Sequence, residues 1–243
     1  MKNFTPPCRF TCLVALLSFA GFSRISASNF HLAPIRIELS AQKANAILQI
    51  VNESDDPVTV QIHAVDWKAN GSDEVFSDSS EILVNPPIAT MPPKGSQLVR
   101  LAIRHPVPIT AERAWRLIVE EVPQPPKAGV ISMVLKISIP VFQKPEVGQA
   151  APQLAWNVSN TNDGSLQLTA SNSSNVHVQV KALTLTPLGT ESQSIISSMA
   201  YVLPQGTHIW VIRSDRLRNA SRIVLDAETD AGKLHEDLDV QSK

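Results

Sequence analysis

The stretch Val130–Phe142, which reads VISMVLKISIPVF, decides how the rest of the sequence is interpreted. As one β-strand rising about 3.3 Å per residue it would extend roughly 40 Å, which is longer than most strands of globular proteins. Its odd-numbered positions carry large apolar side chains: Ile131, Met133, Leu135 and Ile137. Its even-numbered positions are less apolar and include Lys136 and Ser138. If the even-numbered face packs inward, the odd-numbered side chains form an exposed apolar row that needs a partner.

Two interpretations of this strand stay open on its pattern alone. It is either a central strand buried on both faces, or an edge strand whose apolar row serves another polypeptide. Pro140 has no N–H group to donate, which confines that end of the strand to a sheet edge or a bulge.

Short strands separated by turn signals continue on both sides of this run. Those before it are Ala46–Asn52, Val58–Trp67, the short Ile82–Val84, Gln97–Ile103 and Ala114–Val122. After a polar, Pro-bounded linker (Gln143–Pro152), a second series comprises Leu154–Ser159, Leu166–Ser171, Val176–Leu185, Thr207–Arg213 and Ser221–Glu228. The sequence therefore predicts an all-β protein of two immunoglobulin-like β-sandwich domains, spanning residues 28–145 and 150–243.

The second of these strands, Val58–Trp67, carries an irregularity in its pattern. Apolar residues of Val58–Trp67 first occupy even-numbered positions and then shift to Val65 and Trp67. A shift of one residue in mid-strand is typical of a β-bulge, which we therefore predict here.

The first 27 residues have the pattern of a secretory signal. Lys2 and Arg9 form a positively charged start, and Phe10–Phe22 (FTCLVALLSFAGF) is apolar. This apolar run is shorter than the about 20 residues that a membrane helix requires. Small residues follow it, so we expect cleavage near Ala27.

Removal of this segment leaves a chain without cysteine. Cys8 and Cys12 are its two cysteines, so the remaining chain can form no disulfide, thiolate metal site or cysteine nucleophile. The segment also holds three of the 21 basic residues and none of the 22 acidic ones, which leaves a net charge of −4. A weakly acidic chain of this kind gives no indication of nucleic-acid binding.

Motifs of catalysis and of metal or cofactor binding are missing from the sequence. The six histidines have no metal-ligand spacing, and neither a G-x-S-x-G elbow nor a phosphate-binding glycine loop is found. We therefore predict no enzymatic activity, no metal and no cofactor. A secreted hydrolase with widely scattered catalytic residues is an alternative that no motif favours.

The order and spacing of several motifs resemble those of the periplasmic pilus chaperones of the chaperone–usher pathway. In chain order these motifs are Pro34–Ser40 (PIRIELS), Ile50–Asn52 (IVN), Trp67, Pro86–Ile88 (PPI), Pro93–Leu101 (PKGSQLVRL), Glu112–Pro123 (ERAWRLIVEEVP) and Ile139–Pro145 (IPVFQKP). The resemblance covers most of the chain after residue 27 and is strongest in the first predicted domain. It implies a periplasmic location and two sandwiches set at an angle with a cleft between them.

The resemblance also implies a mechanism. Pilus subunits are incomplete immunoglobulin folds, and the chaperone's long edge strand supplies the missing strand by β-augmentation. The implied donor side chains are Ile131, Met133, Leu135 and Ile137. The implied partners are pilus subunits (pilins) and an outer-membrane usher, and self-association of the free chaperone through its edge strand stays open. A structural two-domain component of a pilus or cell surface is the alternative function.

Members of this family hold the subunit's C-terminal carboxylate with basic residues in the cleft, where a guanidinium offers a bidentate fork. Arg36 matches the family's first-strand arginine. Many members have a lysine two residues before the phenylalanine of the closing motif, but this chain has Pro140 there and resembles the branch often called archaic. The second anchor must then come from a neighbouring strand, and the candidates in order of preference are Arg116, Arg100 and Lys136.

Two further expectations concern the strand that carries Arg116 and the interface between the domains. Ala114 and Ile118, strand-mates of Arg116, should face the sheet interior. Glu121 and Lys144 match two positions of the family's interdomain charge network, and we expect this pair to fix the angle between the domains rather than to add much stability. The acidic partner from the second domain stays open between Asp215 and Asp226.

Overall fold

A computed structural model of the protein describes residues 26–27, 29–70, 73–123, 132–146, 154–189, 194–196, 199–217 and 220–241. Their regular secondary structure consists of β-strands, which confirms the predicted all-β class. No helix with the length and apolar character needed to cross a membrane occurs in these residues.

The first half of the chain contributes three groups of paired strands. The strands are β1 (Ser26–Ala27), β2 (Phe30–Ala33), β3 (Ile37–Leu39), β4 (Asn45–Asn52), β5 (Val58–Asn70), β6 (Asp73–Asp78), β7 (Ile82–Asn85), β8 (Ile88–Met91), β9 (Ser96–Ile103), β10 (Arg113–Glu121), β11 (Ser132–Met133) and β12 (Lys136–Gln143). One sheet has the order β2-β4-β9-β7, and the facing sheet has the order β3-β12-β10-β5-β6 with β8 paired to β5. The short β1 and β11 pair in parallel.

Alternating apolar residues of these two sheets form the first core. Leu48 on β4 and Leu101 on β9 face Trp115 and Leu117 on β10, and all four side chains are buried in one cluster. Their period of two places every second side chain on the inner face, as expected for a sandwich. This core holds β10 and β12 in place, and those strands carry most of the candidate site.

The predicted bulge in β5 is wrong. Its ladder with β10 runs without a shift from Val60 to Asp66. Ala64, Val65 and Trp67 are nevertheless all buried, and Trp67 packs against Leu203 of the second domain. The shift in the sequence pattern therefore arises because the outer face of the strand becomes covered, while its hydrogen bonding stays regular.

The stretch that was expected to form one long strand is divided. Its residues form β11 and β12, with Val134 and Leu135 between them outside regular strand structure. Ile131 lies outside the described residues.

The second half of the chain forms the other sandwich. Its strands are β13 (Leu154–Asn160), β14 (Leu166–Asn172), β15 (Val178–Pro187), β16 (Ser194–Ile196), β17 (Ala200–Val202), β18 (Thr207–Ile212), β19 (Arg222–Thr229) and β20 (Gly232–Gln241). They follow the order β16-β15-β19-β20-β13-β14-β18, with β17 paired to β15. A separate core includes Leu168, Leu183 and Leu225. The predicted boundary between residues 145 and 150 is not tested, because residues 147–153 lie outside the described residues.

An asparagine with the same role closes a loop in each sandwich. The Asn52 amide donates to the carbonyl oxygens of Met91, Pro92 and Asp56, at 3.3, 2.9 and 2.9 Å, and its Oδ1 accepts from Ser54. Both Asn52 and its counterpart are buried. Each therefore acts as an internal clamp on a loop.

The counterpart in the second sandwich is Asn172. Its amide donates to the carbonyl oxygens of Val176 and Val202, at 2.7 and 2.9 Å, and its Oδ1 accepts from the amide and hydroxyl of Ser174. The repetition follows from the sequence, because Asn-x-Ser ends a strand in both halves.

The two sandwiches meet through an aromatic cluster. Trp67 and Phe142 of the first domain pack against Leu203, with Tyr201 and Ala114 alongside. The orientation expected for β10 is therefore wrong: its odd-numbered residues face the sandwich core, whereas Ala114 faces the second domain. This strand is apolar on both faces because one is covered by its own domain and the other by the neighbouring one.

Candidate functional site

The edge of β12 is open over the first part of its length. Among the described residues, Lys136–Pro140 pair only with β10, whereas Val141–Gln143 pair with β10 on one side and β3 on the other. Each of the two interpretations of this strand therefore applies to part of it. The strand is central where it enters the core and is an edge strand further towards its N-terminus.

The odd-numbered residues of β12 face the sandwich core, so the orientation expected for this strand is wrong. Ile137 and Ile139 lie opposite Val119 and Leu117 of β10, whose side chains are buried in the first core. Directly opposed residues share a face of the sheet. The even-numbered Ser138 is exposed on the other face.

Exposure rises stepwise along the apolar row towards its N-terminal end. Ile139 is 2% exposed, Ile137 and Leu135 are partly buried against the first core, and Met133 is 63% exposed. Val134, beside this row, is also exposed, at 45%. The row thus extends the apolar core of the first domain beyond its own sheet, past the open edge of β12 to Met133 on β11, which pairs with β1.

Arg36 and Arg116 line one cleft of about 480 Å³ with Pro140, Met199 and Tyr201. Arg36 immediately precedes β3, and Arg116 lies opposite Pro140 in the ladder between β10 and β12. The cleft therefore lies between the domains, where the open edge of β12 ends. The structure brings together the first two predicted anchors.

The guanidinium of Arg116 is held by aromatic rings. Its central carbon lies 3.7 Å from the ring centroid of Trp67 and 5.4 Å from that of Tyr201, which are cation–π distances. Only 13% of the side chain is exposed, and its NH2 group lies 3.3 Å from Oε1 of Glu74. Burial lowers the pKa of Arg116 more than Glu74 raises it, but a guanidinium remains charged at neutral pH.

Arg36 belongs to a more exposed network of charges. Its guanidinium lies 3.1 Å from Oε1 of Glu38 and 3.6 Å from Oδ2 of Asp230 in the second domain. Glu38 also binds Nζ of Lys144 at 2.5 Å. Burial alone would raise the pKa of Glu38, but the hydrogen bond and charge of Lys144, together with Arg36, hold it below its ordinary value.

The other two anchor candidates are not brought into this cleft. Arg100 lies on β9, opposite Ile47 and Asn85 in the sheet that does not contain β12. Lys136 is at the N-terminal end of β12, and its Nζ lies 3.5 Å from Glu120.

The predicted pairing of Glu121 with Lys144 is corrected by the strand register. Arg113 lies opposite Gln143 and Glu120 opposite Lys136, so Glu121 and Lys144 lie at opposite ends of the same ladder. Oε2 of Glu121 accepts from the amide of Leu135, beside the open edge. Lys144 does reach the interdomain cleft, where its partner is Glu38.

Sequence reasoning missed the polar residues that join the domains. Oε1 of Glu112 lies 2.7 Å from Nδ1 of His177 and also accepts the backbone N–H of His177 at 3.1 Å. Nε2 of His177 lies 3.8 Å from Oδ2 of Asp230, the acidic residue that the second domain presents to the cleft. Glu112 opens one of the quoted motifs, but nothing in the sequence around His177 points to this contact.

The described residues contain no group of histidine, cysteine, aspartate and glutamate side chains arranged to hold a metal ion. The cleft is lined by three cations, Arg36, Arg116 and Lys181, and by Tyr201, apolar and neutral polar side chains, with Asp230 as its acidic member. An excess of cations suits a chain end that bears a carboxylate.

The sequence profile for "Pili and flagellar-assembly chaperone, PapD N-terminal domain" matches residues 29–149. The chain belongs to the pilus assembly chaperones. A search of curated protein sequences gave no match to this chaperone.

Solved structures of other chaperones share its fold. The CsuC–CsuE chaperone–tip adhesion subunit complex from the archaic Csu pili of Acinetobacter baumannii matches with a TM-score of 0.65 and 24% identity, over 88% of this chain and 99% of that one. The SafB chaperone with the SafA pilin of Salmonella enterica gives 0.58 and 18% identity, over 86% and 95%. The E. coli chaperone DraB gives 0.57 and 17%, over 89% and 98%. At these identities the likeness concerns the fold of two immunoglobulin-like sandwiches.

Proposed function

We propose that this pilus assembly chaperone binds pilus subunits in the periplasm by adding the open edge of β12 to their incomplete sheets, and that it delivers them to an outer-membrane usher. One observation carries the proposal: the open edge of β12 ends at a cleft that holds both Arg36 and Arg116. An edge for strand addition and a site for a chain end thus follow one another along a single path.

The apolar row supplies the energy of strand addition. A large apolar side chain that becomes fully buried contributes about 1.5–3 kcal/mol. Leu135 and Ile137 are already partly covered by the chaperone's own core, so most of the gain falls on the exposed Met133 and on residues beyond it, towards Ile131. The entropy cost of association is subtracted from this gain, which keeps the complex exchangeable.

The two arginines supply the anchor. A carboxylate accepts two hydrogen bonds from one guanidinium, and such charge-assisted bonds are about twice as strong as neutral ones. Trp67 and Tyr201 hold the guanidinium of Arg116 in place, so little side-chain entropy is lost when a carboxylate binds. In this proposal Arg116 takes the role for which many relatives use a lysine at the position of Pro140.

Delivery to an usher and the periplasmic location follow from the family. The I-P-V-F sequence at residues 139–142 agrees with the archaic branch, from which the CsuC–CsuE complex comes. The proposal includes removal of a signal peptide near Ala27. Self-association of the free chaperone would use the same open edge.

Co-expression with a pilin encoded beside this gene tests the proposal. The pilin should co-purify with the exported chaperone, and the Arg36→Ala and Arg116→Ala variants should lose it. Arg100→Ala is the matched control, because it removes a basic side chain from the sheet that does not contain β12. Equal retention of the pilin by all three variants would contradict the anchor. Chaperone found in the assembled fibre would favour the structural alternative.

A further inference from the structure

The hairpin of β5 and β6 places a carboxylate on the guanidinium of Arg116. Glu74 lies on β6 opposite Ala69, and its Oε1 is 3.3 Å from NH2 of Arg116. A second cleft of about 660 Å³ opens at this point and is lined by Glu74 and His208, among others. The two clefts share Arg116, Met199 and Tyr201. Glu74 therefore reaches Arg116 from one side while the open edge of β12 leads to it from the other.

The contact between Glu74 and Arg116 is incomplete. A guanidinium offers five N–H donors, and a well-placed carboxylate takes two of them at once. Glu74 makes a single, long hydrogen bond, and Nε of the buried Arg116 has no hydrogen-bond partner among the described residues. The arginine therefore retains donor capacity that Glu74 does not use.

Glu74 is also free to leave. It is 43% exposed at its side chain, and every residue of β6 is exposed. Rotation of the side chain would carry its carboxylate into solvent without changing the β5–β6 ladder. Glu38 differs in this respect, because both Arg36 and Lys144 hold it.

We propose that Glu74 is an internal competitor: it competes with the C-terminal carboxylate of a subunit for the guanidinium of Arg116. It occupies Arg116 in the free chaperone and leaves when a subunit's chain end arrives. This inference rests on the proposed function, in which Arg116 is the anchor. Its consequence is that Glu74 lowers the affinity of the anchor and so determines how easily the chaperone releases a subunit.

The test measures the binding of a small carboxylate at Arg116, without the rest of a subunit. The purified chaperone is titrated with N-acetyl-leucine and, separately, with N-acetyl-leucinamide, which has no carboxylate. The Nε–H resonance of Arg116, assigned by comparison with Arg116→Lys, reports binding. Glu74→Gln keeps the shape of the side chain and removes its charge. Glu53→Gln is the matched control, because it makes the same exchange at an exposed position before the start of β5, whereas Arg116 lies opposite Val65 further along that strand.

We expect Glu74→Gln to bind the acid roughly two- to fivefold more tightly than the wild type, the factor that corresponds to an ion pair with one exposed partner. The amide should gain nothing, and Glu53→Gln should behave as the wild type. One contrary result is that Glu74→Gln leaves the affinity for N-acetyl-leucine unchanged while N-acetyl-leucine still binds better than N-acetyl-leucinamide. That result would overturn the proposed role of Glu74 and leave the role of Arg116 as anchor intact. If N-acetyl-leucine binds no better than N-acetyl-leucinamide even to the Glu74→Gln variant, Arg116 is not a carboxylate anchor, and the proposed role of Glu74 fails with it.

Discussion

The imidazole of His177 lies almost parallel to the ring of Phe142, with 3.8 Å between the ring centroids and 13° between the planes. Phe142 is the next-to-last residue of β12, the strand that offers its open edge to a partner, and His177 belongs to the second domain. The stacking therefore connects the position of the second domain to the base of the donor strand. Glu112, which binds both ring and backbone of His177, completes this connection.

Replacement of Glu112 by alanine should destabilise the protein by about 1–3 kcal/mol. The substitution leaves the backbone N–H and Nδ1 of His177 without their acceptor in a buried place, and an unsatisfied buried donor has a cost of this size. Urea unfolding, followed by the fluorescence of the tryptophans, measures the change. Glu112→Gln retains a carbonyl oxygen as acceptor and should recover most of the loss. A Glu112→Ala variant with the wild-type midpoint would contradict the proposed connection.

Replacement of Met133 by aspartate should remove pilin binding without unfolding the chaperone. Met133 is 63% exposed, so the free protein tolerates a charge there, whereas an aspartate in an apolar groove would have to lose its water. We expect an affinity loss of more than about a hundredfold, measured by pilin co-purification and titration.

The matched control for this experiment is Val134→Asp, which places the same charge on an exposed neighbour outside the odd-numbered row. Leu135 is a poorer choice, because it already packs on the chaperone's own core. If Met133→Asp and Val134→Asp lose the pilin equally, the odd-numbered row is not the part of the strand that the subunit binds.

Asn52→Ala and Asn172→Ala should each cost about 2–3 kcal/mol of the free energy of unfolding. Each change deprives buried loop carbonyl groups of their donors and leaves a cavity in place of the amide. Thermal or urea unfolding gives the measurement. Asn45→Ala, at an exposed position of β4, should stay within about 0.5 kcal/mol of the wild type. An Asn52→Ala protein as stable as Asn45→Ala would refute the clamp.

The carboxyl group of Asp163 should titrate well below the ordinary range of aspartates. The hydroxyl of Thr161 donates to it at 2.5 Å and the amide of Ser165 at 3.1 Å, which lowers its pKa to about 2. Because the unfolded value is about 3.9, this group stabilises the fold above that pH, and the contribution disappears as the pH falls through about 2. A carbon-13 NMR titration locates the midpoint. Thr161→Val should raise it, and an unchanged midpoint would exclude the hydroxyl as the cause.

The sequence sufficed for the fold class and for the longer strands β4, β5, β9 and β10 of the first domain, because alternation and turn residues are local signals. It failed where two domains cover one strand. Val65 and Trp67 looked like a bulge, and Ala114 was assigned to the wrong face, because apolar residues on an interdomain surface cannot be told from core residues by their period.

The C-terminal strand shows a different limit. Gly232–Gln241 (GKLHEDLDVQ) forms a long hairpin with β19, yet it was absent from the predicted strand series. Its alternating Leu234 and Leu238 carry the signal, but the charged residues between them dilute it. An exposed strand face is chemically similar to a loop.

The candidate site was predictable only in part. Arg36 and Arg116 were both proposed from motifs, but the order of preference among Arg116, Arg100 and Lys136 could not be derived from spacing. Trp67 and Glu74 of the β5–β6 hairpin and Tyr201 of the second domain surround Arg116, and all of them are distant from it in the chain. Contacts of such sequence separation appear only when the sheets are assembled.

A strand that is fixed at one end and open at the other has a thermodynamic consequence for its guest. Residues Val141–Gln143 of β12 are held on both sides, and Ile139 is locked in the core, so the backbone of the open half has little freedom left to lose. Ordering a backbone costs about 1–2 kcal/mol per residue. The chaperone strand is therefore preorganised for pairing, and the loss of conformational entropy on binding falls on the incoming strand of the subunit.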